Sequence, residues 1–133
     1  MASSIVTTIG KNLYLNRIYK NTPDSSAPVV FAIGTSTTVP VVGDTNLGTI
    51  IQGWNASSDY KNFTTGFPTF NTTAKEATIR GAVTSTEANG SNIAEAGTFN
   101  SDGTRVMDFR ATFSAVNKDS GESISFIWKH RIL

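Results

Sequence analysis

The sequence predicts an all-β fold, an antiparallel β-sandwich or barrel-like single domain with tight hairpins and long loops. Three observations predict it. Several segments alternate apolar and polar residues at period two, the mark of a strand with one buried face. The clearest has Met107, Phe109, Ala111, Phe113 and Ala115 interleaved with Asp108, Arg110, Thr112 and Ser114. Turn formers punctuate these segments at short intervals, among them Asn89-Gly90 and Asp102-Gly103; glycine accepts the positive φ that a tight reversal needs. Finally, only 16% of the 133 residues are charged, while 19 are Thr, 14 Ser and 11 Asn. Threonine favours strands, and Asn and Ser favour turns.

The same numbers exclude several classes of function. A net charge of +1 gives no electrostatic case for nucleic acid or an anionic membrane as partner. Without cysteine there is no disulfide, no thiol chemistry and no Cys-ligated zinc. His130 is the single histidine, so one chain cannot build a multi-His metal site. No cofactor is expected. The N-terminus lacks the basic and apolar regions of a signal peptide, and no apolar run reaches the length of a membrane span. Asn55, Asn62, Asn71 and Asn89 each open an Asn-x-Ser/Thr triplet, which chance explains in a chain so rich in Asn and Thr. Low charge also suits a surface covered by neighbours, because interface cores are depleted in charge.

Taken in order, residues 1–10 read as an N-terminal arm and 11–133 as the β-domain. Ile5, Val6 and Ile9 could anchor the arm on a neighbouring subunit; fraying is the alternative. The run 11–20 (KNLYLNRIYK) reads as a strand with Leu13, Leu15 and Ile18 facing a core. Pro23, Asp24 and Pro28 make 21–28 a loop. The run 29–34 (VVFAIG) fits a strand buried on both faces. Pro40 and Gly43-Asp44 place 35–44 in a loop, and 45–52 fits either a short helix or a strand. The irregular stretch 53–73 gathers Trp54, Tyr60, Phe63, Phe67 and Phe70. So much aromatic surface must be buried, either against a partner or ligand, or as a satellite cluster closing the end of the sandwich. Strands follow at 75–85, 93–99 and 104–115, then a last one at 123–132. In that last strand Ile124, Phe126, Trp128, His130 and Ile132 share a face. Reversals at 87–90, 100–103 and 117–122 join them.

No acid/base pair, nucleophile elbow or phosphate-binding glycine spacing is visible. Glu95 stands out among Ile93, Ala94, Ala96 and Phe99. Pointing inward, it must be paired or hydrogen-bonded. A carboxylate that pins a loop through backbone amides is the reading adopted, since a catalytic role would need a base or metal beside it. His130 reads as a satisfied core or interface histidine. No reaction is expected.

One resemblance adds to this. The run Glu95-Ala96-Gly97-Thr98-Phe99-Asn100-Ser101-Asp102-Gly103, then Arg105–Phe113, Lys118 and the closing strand, resembles a pattern of bacteriophage tail proteins. It is similar to the attachment domains at the N-terminal end of tail-collar fibres. Phe31-Ala32-Ile33-Gly34-Thr35, Pro40, Asp44-Thr45 and Leu47 resemble the family's other signature. Together the two cover about half the chain. The resemblance implies a virion structural protein, made in the bacterial cytoplasm and assembled with other virion proteins of capsid or tail, as a homo-oligomer. It makes Glu95, Gly97, Phe99, Asp102 and Gly103 structural residues of the motif. Fibres continue into a shaft, whereas this sequence stops at its last strand, which favours an adaptor or a capsid decoration protein over a receptor binder. The candidate interface is Ile5, Trp54, Tyr60, Phe63, Phe67 and Phe70. The alternative is a carbohydrate-binding module using the aromatic loop 53–73.

Overall fold

A computed structural model describes residues 3–131. In chain order it contains β1 (Ser3–Val6), α1 (Thr8–Tyr19), β2 (Pro28–Gly34), β3 (Lys61–Asn62), β4 (Thr69–Asn71), β5 (Glu76–Val83), β6 (Ser91–Asn100), β7 (Met107–Lys118) and β8 (Ile124–Arg131). Two antiparallel sheets form, one ordered β1-β7-β6-β2-β3 and the other β4-β5-β8. The protein is therefore all-β and sandwich-like, as its alternating segments require.

Between the sheets lies the larger apolar cluster: Phe31, Ile33, Trp54, Ile79, Val83, Ile93, Ala96 and Trp128, with Phe63, Phe109, Phe113, Ile124 and Phe126 packed on it. Phe31 is fully buried and holds Trp54, Trp128 and Phe126 at ring-centroid distances of 5.4, 5.8 and 6.2 Å. Gly81 of β5 lies over it, and a Cβ there would come 2.7 Å from the Phe31 ring. The period-two faces of β5 and β8 point as their sequences indicate, with Ile79, Gly81, Val83 and Trp128 buried. Ile132 lies outside the described residues.

In β2, Phe31 and Ile33 face the three-stranded sheet while Val30 and Ala32 face away, and all four are buried. The five-stranded sheet is thus covered on its back face as well. There Val30, Ala32, Phe99 and Met107 meet Leu47, Ile50 and Tyr60 from the irregular chain between β2 and β3.

Four sequence expectations are corrected. The run 11–20 belongs to a helix. Thr7 caps it, its side chain accepting from the amide of Gly10, and this cap falls in the stretch read as an arm. Gly10, Leu13 and Tyr14 form the docked face, and Leu13 is buried. A Cβ on Gly10 would come 2.5 Å from the Asp108 carbonyl oxygen. Leu15 and Ile18 lie on the opposite side, exposed. With apolar residues on both faces, the helical period is masked and Leu13/Leu15 imitates a strand.

Residues 3–6 form no free arm. They are an edge strand paired with β7, Ile5 opposite Arg110 and Val6 opposite Phe109. The reversal at Asp102-Gly103 is broader than a tight hairpin: β6 runs to Asn100, β7 starts at Met107, and 101–106 forms the loop. Asn100 organises it by accepting from Val106 N through its side chain and from Arg105 through its carbonyl. Asn89-Gly90 and the 119–123 reversal do not join hairpin partners, because each connects the two sheets.

Candidate functional site

The back face of the five-stranded sheet carries most of the buried polar chemistry. In β7 the residues expected to be solvated, Asp108, Arg110 and Thr112, are buried. The reason is the second layer: α1 and the 35–49 loop cover the face that period two alone assigns to water.

Glu95 sits at the centre, fully buried. Its Oε1 accepts from Thr49 N at 2.8 Å and Ser36 N at 3.3 Å, and its Oε2 from Gly48 N at 3.0 Å. Arg110 adds a fork, Nε at 3.0 Å and Nη2 at 2.8 Å from Oε2. Arg110 also donates to Asp44 at 2.8 Å and to the Thr38 carbonyl at 3.2 Å. Burial disfavours the Arg110 charge, but bonds to Glu95 and Asp44 more than offset this, raising its pKa above the ordinary arginine value. One carboxylate and one guanidinium therefore tie β6 and β7 to two separate points of the 35–49 loop. Close approach demands small residues here: a Cβ on Gly34 would collide with Glu95 Oε1, and one on Gly97 would lie 3.0 Å from Leu47. The geometry is that of a clamp, with both oxygens of Glu95 occupied by protein donors.

Beside it, Asp108 is the extra residue of a β-bulge, since Thr98 registers with Phe109 and Phe99 with Met107. Its carboxylate accepts from Tyr14 at 2.6 Å and Thr98 at 2.7 Å. Thr7 completes the junction, its Oγ1 donating to the Met107 carbonyl at 2.6 Å. Burial raises the Asp108 pKa, with Tyr14 and Thr98 opposing. Burial, followed by the Asp108 charge, raises that of Tyr14. His130 lies on the other side of the sheet, its ring 4.8 Å from that of Phe109, and burial lowers its pKa. Its Nε2 is buried with no hydrogen-bond partner among the described residues. Among the described residues no group of three or more His, Cys, Asp or Glu side chains is placed to hold a metal ion, and no helix is long and apolar enough to cross a membrane.

The aromatic loop resolves largely into core. Trp54 is only 5% exposed, and its indole N–H donates to the Asp59 carbonyl at 2.7 Å. Tyr60 packs edge-on against Phe99 at 5.2 Å, and the Arg105 guanidinium lies 4.3 Å from the centroid of the Tyr60 ring. Phe63 packs on the inter-sheet cluster. Phe67 and Ile5 are half-buried. Of the six interface candidates only Phe70 stands out from the surface, 74% exposed. Trp54, Tyr60 and Phe63 pack within the chain, and Ile5 and Phe67 keep part of their surface exposed. In the motif read from sequence, Phe99 belongs to the back cluster and Asp102 accepts from Ser26 N and from Asn100. A Cβ on Gly103 would meet nothing within 4 Å.

A different surface remains uncovered. Leu15, Ile18 and Tyr19 project from α1 with 55, 66 and 80% exposure. Near the N-terminus of the helix, where Thr8 N donates to the Val42 carbonyl, the loop presents Val39, Val41 and Val42 at 64, 57 and 48%. Sequence reasoning missed this surface because three of these residues lay in a supposed strand and three in a loop. The available signal was the 3.6-residue spacing of Leu15, Ile18 and Tyr19. No family model matches the chain, and neither curated proteins nor solved structures give a match.

Proposed function

We propose that the protein is a bacteriophage virion structural accessory protein, a capsid decoration or a tail or baseplate adaptor that works by packing against itself and other virion proteins. The observation that carries this reading is two sets of exposed apolar side chains, Leu15, Ile18 and Tyr19 on α1 and Val39, Val41 and Val42 on the loop beside its N-terminus, between 48 and 80% exposed. Apolar surface of this kind on a folded domain marks an interaction site. Burying it on a partner supplies affinity, and many copies acting together multiply it. The buried ionisable groups support the same reading, because Glu95, Arg110 and Asp108 are each engaged with protein partners that hold the fold together. The motif order from Phe31 to the terminal strand supplies the link to phage tails.

The carbohydrate-binding alternative keeps little support. Trp54, its natural stacking platform, is covered and its N–H is used internally, leaving Phe70 as the exposed ring of the loop. The experiment that tests the packing reading is sedimentation of the purified chain, alone and with capsids or tails, together with the reading frames beside its gene. Capsid, tail-tube or baseplate neighbours and concentration-dependent assembly support it. A monodisperse monomer with no affinity for virion components contradicts it.

A further inference from the structure

Lys118, at the end of β7, is fully buried. Its ammonium donates to the Asn89 side-chain oxygen at 2.6 Å and to the Asp119 carbonyl at 3.2 Å, both neutral acceptors. Among the described residues no carboxylate pairs with it. A buried charge without a counter-charge is costly. Its partner Asn89 is exposed to water, lies in the turn joining β5 to β6, and is followed by Gly90. No other Asn of the chain precedes a Gly. That dipeptide is the one most open to intramolecular attack of the following backbone nitrogen on the side-chain carbonyl, because glycine has no side chain to obstruct ring closure.

We propose that Asn89 is a site of spontaneous deamidation, and that the aspartate formed pairs with buried Lys118 and locks the 84–90 turn onto the end of β7. The Lys118 ammonium polarises the Asn89 side-chain carbonyl at 2.6 Å, and Gly90 N–H donates to the Lys118 backbone carbonyl at 2.7 Å, so the same residue holds the turn at both positions of the dipeptide. The Gly90 nitrogen gives its proton to water and attacks Asn89 Cγ. The bond from Cγ to Nδ2 breaks and ammonia leaves. Water then opens the cyclic imide at its side-chain carbonyl to leave an aspartate in place of the asparagine. The product gives up the donation from Asn89 Nδ2 to the Ser85 carbonyl at 3.0 Å. In exchange the existing bond from the Lys118 ammonium becomes an ion pair, which gives the buried cation the counter-charge it lacks.

The test uses the full chain aged in mildly alkaline buffer and followed by peptide mass spectrometry, with Asn89→Asp and Asn89→Gln made separately. The expected result is replacement of the Asn89 amide NH2 by OH, with aspartate as the main product and no change in Asn89→Gln over the same time. Asn89→Asp should melt above freshly purified parent, and a Lys118→Met background should abolish that difference. Should Lys118→Met not fold, the comparison of parent, Asn89→Asp and Asn89→Gln decides alone. An unchanged Asn89 after ageing, isoaspartate as the main product, a lower Tm for Asn89→Asp, or loss of ammonia with a Lys118–Asn89 cross-link would each overturn the proposal.

Discussion

The two faces of the five-stranded sheet are built on different physics. The front face is apolar and aromatic, centred on Phe31 among Trp54, Phe126 and Trp128. Its stabilisation is area removed from water, non-directional and tolerant of small shifts. The back face is centred on Glu95 and Arg110, with Asp44, Asp108, Tyr14 and Thr98 around them. Its contribution is directional, and it acts on segments that have no ladder of their own. An irregular loop cannot be fixed by strand pairing, so its amides must be held by a side chain. The difference teaches that the sheet pairing orders the strands, while buried charge fixes where the 35–49 loop and the helix lie upon them.

The sharpest way to break the comparison is Glu95→Ala. Removing one partner of a buried pair costs about 3–5 kcal/mol, and leaving the Ser36, Gly48 and Thr49 amides without their acceptor adds about 1–3 kcal/mol more. Urea unfolding should show the largest loss of any single substitution in the chain. An ordinary buried pair can be exchanged for apolar residues at little cost. The double change Glu95→Leu with Arg110→Leu should nonetheless remain destabilised by about 2 kcal/mol or more, since the three amides stay unsatisfied. Full recovery would reduce the back face to a simple ion pair.

Next comes the front face. Phe31→Ala should cost about 3–5 kcal/mol by denaturant midpoint, the usual loss for a large buried ring. A loss as great as that of Glu95→Ala would erase the ranking of the two faces.

How far sequence reached follows the same division. Alternation in 75–85 and 123–132 announced strands with one buried face, and the continuous apolar run 29–34 announced a strand buried on both. Glu95 announced itself as a charge within an apolar run. The back layer was illegible for a physical reason: β7 carries Asp108, Arg110 and Thr112 where a single-layer sheet would meet water, and nothing local says that a helix covers them. The helix was hidden in turn because Leu15, Ile18 and Tyr19 sit on its exposed face. The aromatic loop was legible in part: its composition required burial, and closure of the sandwich was one of the two readings it left open. Trp54 and Phe63 are brought to the core by long-range closure of 53–63 over the sandwich, which composition does not reveal.

A smaller effect sharpens the electrostatics. Asp108→Asn should change stability by about 1 kcal/mol at neutral pH, and the pH dependence carries the information. Burial raises the folded-state pKa of Asp108 above its ordinary 3.8, so the native state holds that proton more tightly than the unfolded chain. Stability from this group is full below 3.8 and falls as pH rises through the raised value. The stability of Asp108→Asn relative to the parent should therefore climb as pH rises above 3.8. A flat difference, or one that declines, would show that Tyr14 and Thr98 hold the ionised carboxylate without penalty.

The smallest effect on stability belongs to the uncovered face, and it bears most directly on what the molecule does. Leu15→Glu combined with Ile18→Glu changes exposed positions of α1, and each surface change should move stability within about 0.5 kcal/mol. Analytical ultracentrifugation of the parent and this double variant over a range of concentrations is the decisive measurement. Packing through α1 and the Val39–Val42 loop predicts a parent that associates as concentration rises and a variant that stays monomeric with an unaltered Tm. A parent that remains monomeric throughout, or a variant that associates equally well, would contradict it.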